Sequence, residues 1–145
     1  METVKLNPSY AIIVKNKDGS LAFSRLGENL VVAAGHILVA EFLSGNVVNA
    51  PSHLAVGASQ QAAKLSETSL VNELARVSGT RTRDGNEITI ATDFGGVFTQ
   101  DQTVSEVGVF NAASAGTMFA RFVEDPFTLF SDQNMTIRWS VRVGQ

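Results

Sequence analysis

Near its C-terminal end the chain alternates strictly between apolar and polar residues. Over residues 135–143, Met135, Ile137, Trp139, Val141 and Val143 alternate with Thr136, Arg138, Ser140 and Arg142. Successive side chains of a β-strand point to opposite faces, so a period of two predicts a strand with one buried and one solvated face. Strands of this kind are typical of antiparallel sheets.

A second β signal precedes this strand. Two apolar-rich runs, residues 104–110 and 117–123, flank a loop of small residues at positions 111–116, and this pattern predicts a β-hairpin. On the second arm, Met118, Ala120 and Phe122 alternate with Phe119, Arg121 and Val123. Neither set is fully polar, so we expect both faces of the hairpin to be covered.

Residues 28–43 form the one stretch that predicts a helix. Asn29 is suited to an N-cap, and Gly45 lies just beyond the last apolar residue as a stop signal. The stretch is apolar almost all round, and we expect the helix to be buried against a sheet on one side. Gly35 costs about 1 kcal/mol of helix propensity relative to Ala, which indicates a close backbone approach.

The remaining chain reads mostly as short strands and turns. We expect a first hairpin of strands 10–14 and 21–26, strands at 53–57 and near 87–90, and a helical turn leading into a strand over 71–77. Residues 59–69 and 126–132 are predicted as surface excursions, and 94–98 as an interruption or bulge. The prediction is a mainly β (β-rich α+β) fold, an antiparallel β-sandwich or barrel of six to eight strands with one packed α-helix. An N-terminal arm, residues 1–9, precedes a single domain, residues 10–145.

Composition narrows the function classes. The chain has 145 residues, a net charge of −3, no cysteine and only 17% charged residues. The acidic balance argues against a general nucleic-acid or membrane-surface binder. The low charge content favours burial against partners. The N-terminus lacks the pattern of a signal peptide, and the apolar run 30–43 is shorter than the roughly 20 residues that span a bilayer.

The search for reactive chemistry finds no supported motif. His36 and His53 lack the spacing of a zinc site, and no nucleophile elbow or phosphate-binding loop is present. Asp93 and Asp101 lack the acidic ladder of a calcium loop. We therefore expect no catalytic residue, no metal and no cofactor.

Three arginines have two interpretations. Arg121, Arg138 and Arg142 are predicted on polar faces of neighbouring strands, where they form a basic stripe. They pair across strands with acids such as Glu87 or Glu106, or they form ion pairs between subunits.

Several segments, taken together, resemble a broad group of tailed-bacteriophage virion proteins. In that group an apolar helix leads into a strand like His-Leu-Ala-Val-Gly (residues 53–57), an L-x-x-E-x-x-R element and a hairpin beginning Ser-Glu-Val-Gly. A final amphipathic strand carries a Trp. The matching positions here are Leu70, Glu73, Arg76, Ser105 to Gly108, Phe110 to Ala112, Gly116, Thr117, Ala120, Arg121 and Trp139.

The resemblance implies a tail-fibre or tail-collar piece, or a capsid decoration (cement) protein. Tail-fibre members often continue into long C-terminal shafts, whereas this sequence ends two residues after the last strand, so we expect the decoration role. The expected partners are further copies of the chain, in a homotrimer, and the major capsid protein on the virion surface. A tail or baseplate attachment module and a receptor- or glycan-binding β-domain are the alternatives. The expected contact residues are Val4, Leu6, Pro8, Phe119, Arg121, Phe127, Phe130, Arg138 and Arg142.

Overall fold

The computed structural model describes residues 4–144, which form two five-stranded antiparallel sheets and one helix. This confirms the predicted mainly β sandwich with a single helix. No helix within residues 4–144 is long and apolar enough to cross a membrane. The elements are β1 (Leu6–Lys15), β2 (Leu21–Glu28), β3 (Leu30–Val31), α1 (Ala33–Leu43), β4 (His53–Gly57), β5 (Glu73–Ser78), β6 (Thr80–Asp84), β7 (Glu87–Asp93), β8 (Gln102–Phe110), β9 (Met118–Leu129) and β10 (Asn134–Val143).

The two sheets share one apolar core. The first sheet has the order β2-β1-β10-β7-β6 and the second the order β3-β9-β8-β4-β5. Strand β10 is central to the first sheet and confirms the alternating pattern, because Met135, Ile137, Trp139 and Val141 are buried. Val143, at the end of the strand, is half exposed. The indole of Trp139 packs edge-on against Phe119 of the second sheet.

The predicted hairpin is confirmed as β8 and β9, but the pairing contains two irregularities. Phe110 pairs with Met118 and Val109 with Ala120, which leaves Phe119 without a partner in β8. A second shift places residues 124–126 of β9 opposite Ser105. Beyond this irregularity β9 pairs with β8 again up to Leu129. The prediction of an excursion at 126–132 is therefore wrong for Phe127 to Leu129. Phe127 and Leu129 are buried in the core.

The helix begins later than predicted. Residues 30–31 form β3, in which Leu30 pairs with Arg121 of β9, and α1 starts at Ala33 after Val32, whose side chain makes no capping bond. Asn29 is therefore not the N-cap. The expected close approach at Gly35 is confirmed, because a Cβ there would lie 2.3 Å from the Phe119 carbonyl oxygen.

The predicted N-terminal arm also has a different boundary. Residues 6–9 belong to β1 and pair with residues 140–143 of β10. These residues continue the sheet because β10 extends to Val143, and the side of β10 that faces away from β7 offers them backbone partners. Residues 1–3 of the predicted arm lie outside the described residues. Sequence reasoning also missed β6, a strand whose residues are all exposed.

Candidate functional site

A buried ion pair lies between the two strands of the central hairpin. Arg121 Nε donates to Glu106 Oε1 at 3.1 Å, and both side chains are completely buried. Glycine at position 57 provides space for the carboxylate, since a Cβ there would lie 2.6 Å from Glu106 Oε2. Charges this far from water are stable only when they are paired and hydrogen-bonded.

Residues 58–72, here called the covering loop, supply further partners, although Arg121 Nη2 is buried without a hydrogen bond. The amides of Val71 and Asn72 donate to the Glu106 carboxylate at 3.0 and 2.8 Å. Arg121 Nη1 donates to the Gln61 carbonyl at 2.9 Å and pairs with Glu67 at 3.2 Å. The ion pair therefore anchors a loop without regular secondary structure onto the second sheet.

A second arginine holds the tip of the same hairpin. Arg76 Nη1 donates to the carbonyls of Ala112 and Ala115 at 3.1 and 2.8 Å. Its guanidinium lies 3.6 Å from the centre of the Phe110 ring and pairs with Glu73 at 2.8 Å. Arg76 thus fixes residues 111–116, here called the tip loop, through both backbone and aromatic contacts.

The residues that carry the family resemblance meet at this place. Leu70 is buried with Phe110 and Met118 in a small apolar cluster. A Cβ at position 108 would lie 2.8 Å from Leu70, so glycine is required beside that side chain. Together with the ion pairs of Arg121 and Arg76, these contacts join the L-x-x-E-x-x-R element and the hairpin motif into one unit, here called the braced unit. The covering-loop residues Gln61 and Glu67 carry no periodic signal, and sequence reasoning missed their role.

Another polar cluster ties the two sheets together at the irregular part of β9. The Tyr10 hydroxyl donates to the Glu124 carboxylate, which also pairs with Arg25 at 3.2 Å. The Tyr10 ring stacks on Phe122 with centroids 3.6 Å apart. Burial raises the pKa of Tyr10, and the hydrogen bond and negative charge of Glu124 raise it further, while Arg25 opposes the shift.

Three of the predicted contact residues are not on the surface. Phe119, Arg121 and Phe127 are buried within the chain itself, so they cannot form the outer surface of a subunit contact in this fold. Arg121 was expected either to pair with an acid across strands or to form an ion pair between subunits. The structure shows the first, with Glu106 as the acid.

The other predicted contact residues reach the surface in separate places. Val4, Phe130 and Arg138 are exposed, and Leu6 and Pro8 are half-buried in β1. Arg142 pairs with Glu87 at 3.0 Å, beside a polar cleft of about 490 Å³. Their use in contacts stays a prediction.

The helix is buried against the sheet on one side, as expected, and its other side is exposed. Gly35 and Leu38 are buried, but Ile37 is 61% exposed, Leu43 is 85% exposed and Val47, just beyond the helix, is fully exposed. Ala33, His36 and Ala40 are also exposed. We call the exposed side of the helix, with Ala33, His36, Ile37, Ala40 and Leu43, the α1 face.

Within the described part of the chain, the histidines and acidic side chains form no metal-binding cluster. His36 lies on the α1 face, and the ring of His53 shares a hydrogen bond with the Ser52 hydroxyl at 2.7 Å. Across residues 4–144, no three histidine or acidic side chains are grouped so as to hold a metal ion. No family model, curated protein or solved structure matches the chain.

Proposed function

We propose that this chain is a non-enzymatic structural protein of a tailed-phage virion, a capsid decoration protein that binds the assembled shell as a homotrimer. The observation that carries the proposal is the convergence of the resembling motifs. Leu70 and Arg76 come from one motif, Glu106 and Arg121 from the hairpin motif, and the first two contact the hairpin that holds the second two. The contacts between the two matched motifs support the resemblance to the virion group.

The polar chemistry of the braced unit supports a structural role. The Glu106 carboxylate accepts three hydrogen bonds, from Arg121 and from two backbone amides. Its lone pairs are directed at the chain's own donors. The Arg76 guanidinium likewise pairs with Glu73 and donates to two carbonyls of the tip loop. These groups stiffen the hairpin and the covering loop.

The surface supports action through protein contacts. The α1 face presents large apolar side chains to solvent, and contiguous exposed apolar surface is typical of interaction sites. A ligand that binds only the assembled shell stabilises it by about 2.7 kcal/mol per site at a hundredfold excess over Kd. A trimer strengthens the attachment, because its second and third contacts form at high effective concentration.

The proposal is tested by adding the purified protein back to particles that lack it. Virions of the encoding phage, prepared without this protein, are heated while release of DNA is followed with an intercalating dye. Added protein is expected to raise the release temperature in proportion to occupancy until its sites are filled. An unchanged release temperature at saturating protein would refute capsid stabilisation, and binding to tail structures alone would favour the attachment module instead.

A further inference from the structure

We propose that the α1 face is the surface through which copies of this chain meet, with the α1 helices of neighbouring copies packed against one another. The inference rests on the homo-oligomer of the proposed function and names its contact. It replaces the contacts expected at Phe119, Arg121 and Phe127, which are buried inside the chain.

The helix carries exposed apolar side chains on one side. Ala33, Ile37 and Ala40 are spaced by four and three residues, so they lie on one side of α1, with Leu43 one turn further along. Ile37 and Leu43 are 61% and 85% exposed. Leu65, which is 53% exposed, extends the patch at the start of the helix, where its carbonyl accepts the Ala33 amide at 2.8 Å.

The charge around the helix favours a second copy as the occupant. Residues 26–63 contain no lysine or arginine, and their only acids are Glu28 and Glu41. Glu28 belongs to β2, and Glu41 is half-buried at the side of the helix. The α1 face itself carries no Asp, Glu, Lys or Arg, and His36 is its one polar side chain, while Lys64 is exposed beside Leu65 at the edge of the patch. Two such faces can meet without repulsion between acidic or basic side chains of α1. Depletion of charge is typical of the core of an interface.

The shape of the face is also suited to contact with itself. The small side chains of Ala33 and Ala40 lie beside the large ones of Ile37 and Leu43. A ridge of large side chains on one helix can therefore enter the groove over the alanines of another. Gly35 holds the helix backbone directly on the Phe119 carbonyl, so the face is fixed before association. Such preorganisation lowers the cost of binding.

The test compares two charge substitutions at equally exposed leucines. Leu43→Glu places a carboxylate on the α1 face, and Leu26→Glu, on β2, is the matched control because Leu26 is 83% exposed. Sedimentation velocity and light scattering measure the mass of each variant. We expect an oligomeric wild type, an unchanged Leu26→Glu and a Leu43→Glu whose association is weaker by about a hundredfold or more, since a carboxylate would have to be buried unpaired.

A cysteine variant reports the contact directly. The chain has no cysteine, so Ala40→Cys introduces a single thiol at the centre of the face. Under mild oxidation Ala40→Cys is expected to give a covalent dimer on a denaturing gel, and Leu26→Cys is expected to remain monomeric. Fluorescence of Trp139 verifies that each variant is folded.

The possible results separate this inference from the proposed function. An oligomer that Leu43→Glu leaves intact would overturn the α1 contact while the homo-oligomer stands. A monomeric wild type would overturn both, and binding to phage particles would then test the virion role alone. If that monomer loses particle binding on Leu43→Glu, the face is occupied by a shell protein and the inference is wrong.

Discussion

Substitution of Arg121 by Met tests whether the buried ion pair holds the fold together. Arg121→Met keeps most of the side-chain volume but leaves Glu106 completely buried with only its two backbone donors. It also removes the bonds to Gln61 and Glu67 that anchor the covering loop. Breaking one side of a buried pair costs about 3–5 kcal/mol, a large part of the roughly 5–15 kcal/mol that stabilises a domain.

Urea denaturation followed by fluorescence measures this cost, because the only tryptophan, Trp139, is buried in the core. With a slope of about 2 kcal/mol per molar urea, a loss of about 4 kcal/mol lowers the midpoint by about 2 M. The matched control is Arg142→Met, which breaks the solvent-exposed pair with Glu87 and should cost about 0–1 kcal/mol.

Equal midpoints for Arg121→Met and Arg142→Met would refute the reasoning. If Arg121→Met does not fold, Glu67→Gln supplies a milder change at the edge of the network. It should lower the midpoint by more than the control Arg142→Met does. No change with Glu67→Gln would show that the charge of Glu67 adds nothing to the anchoring of the covering loop.

Three further predictions concern the packing and ionisation of single residues. Gly35→Ala forces α1 off a β9 carbonyl and should cost about 1–3 kcal/mol in urea denaturation; wild-type stability would contradict the close approach. Arg76→Ala should speed proteolysis within residues 111–116 severalfold by releasing two of their carbonyls; an unchanged cleavage rate would show that the tip loop needs no clamp. Tyr10 has a raised folded pKa, so its stabilisation is complete below the unfolded value of about 10 and is lost as pH rises toward the folded value. Tyr10→Phe should remove that alkaline loss in denaturation curves measured above pH 10, and an identical pH dependence in both proteins would contradict the assignment.

The elements that were predicted correctly are those whose sequence pattern lies within a few neighbouring residues. Alternation in 135–143 marks one buried face of a strand whatever the rest of the chain does. Gly45 adopts a positive φ of 84° just beyond the helix, as its stop signal predicts. Turns at 15–19 and 84–86 were also recognisable from their glycine and polar residues.

The errors arise where a distant strand decides the local structure. Residues 28–32 have a helical pattern, yet Leu30 and Val31 pair with β9 because its edge offers backbone partners there. Pro126 suggested an excursion, but it lies in the irregular part of β9, after which the strand resumes at Phe127. Such choices depend on register between distant segments, which a local pattern does not contain.

The braced unit was only partly predictable. Glu106 was one of two acids considered for Arg121, and the choice between them follows from the register of β8 and β9. The contact of Glu67 with Arg121 spans 54 residues and comes from a loop with no period. Burial of one side of the helix was expected, but nothing in the sequence indicates which residues of an apolar helix face the sheet and which form the exposed α1 face.

The location of this protein on intact phage particles tests the central claim most directly. A gold label on a tagged copy, combined with quantitative mass spectrometry against the major capsid protein, gives both position and copy number. We expect hundreds of labels distributed over the shell, with the number of protein copies at each binding site divisible by three. A few labels confined to the tail, or none on purified particles, would contradict it.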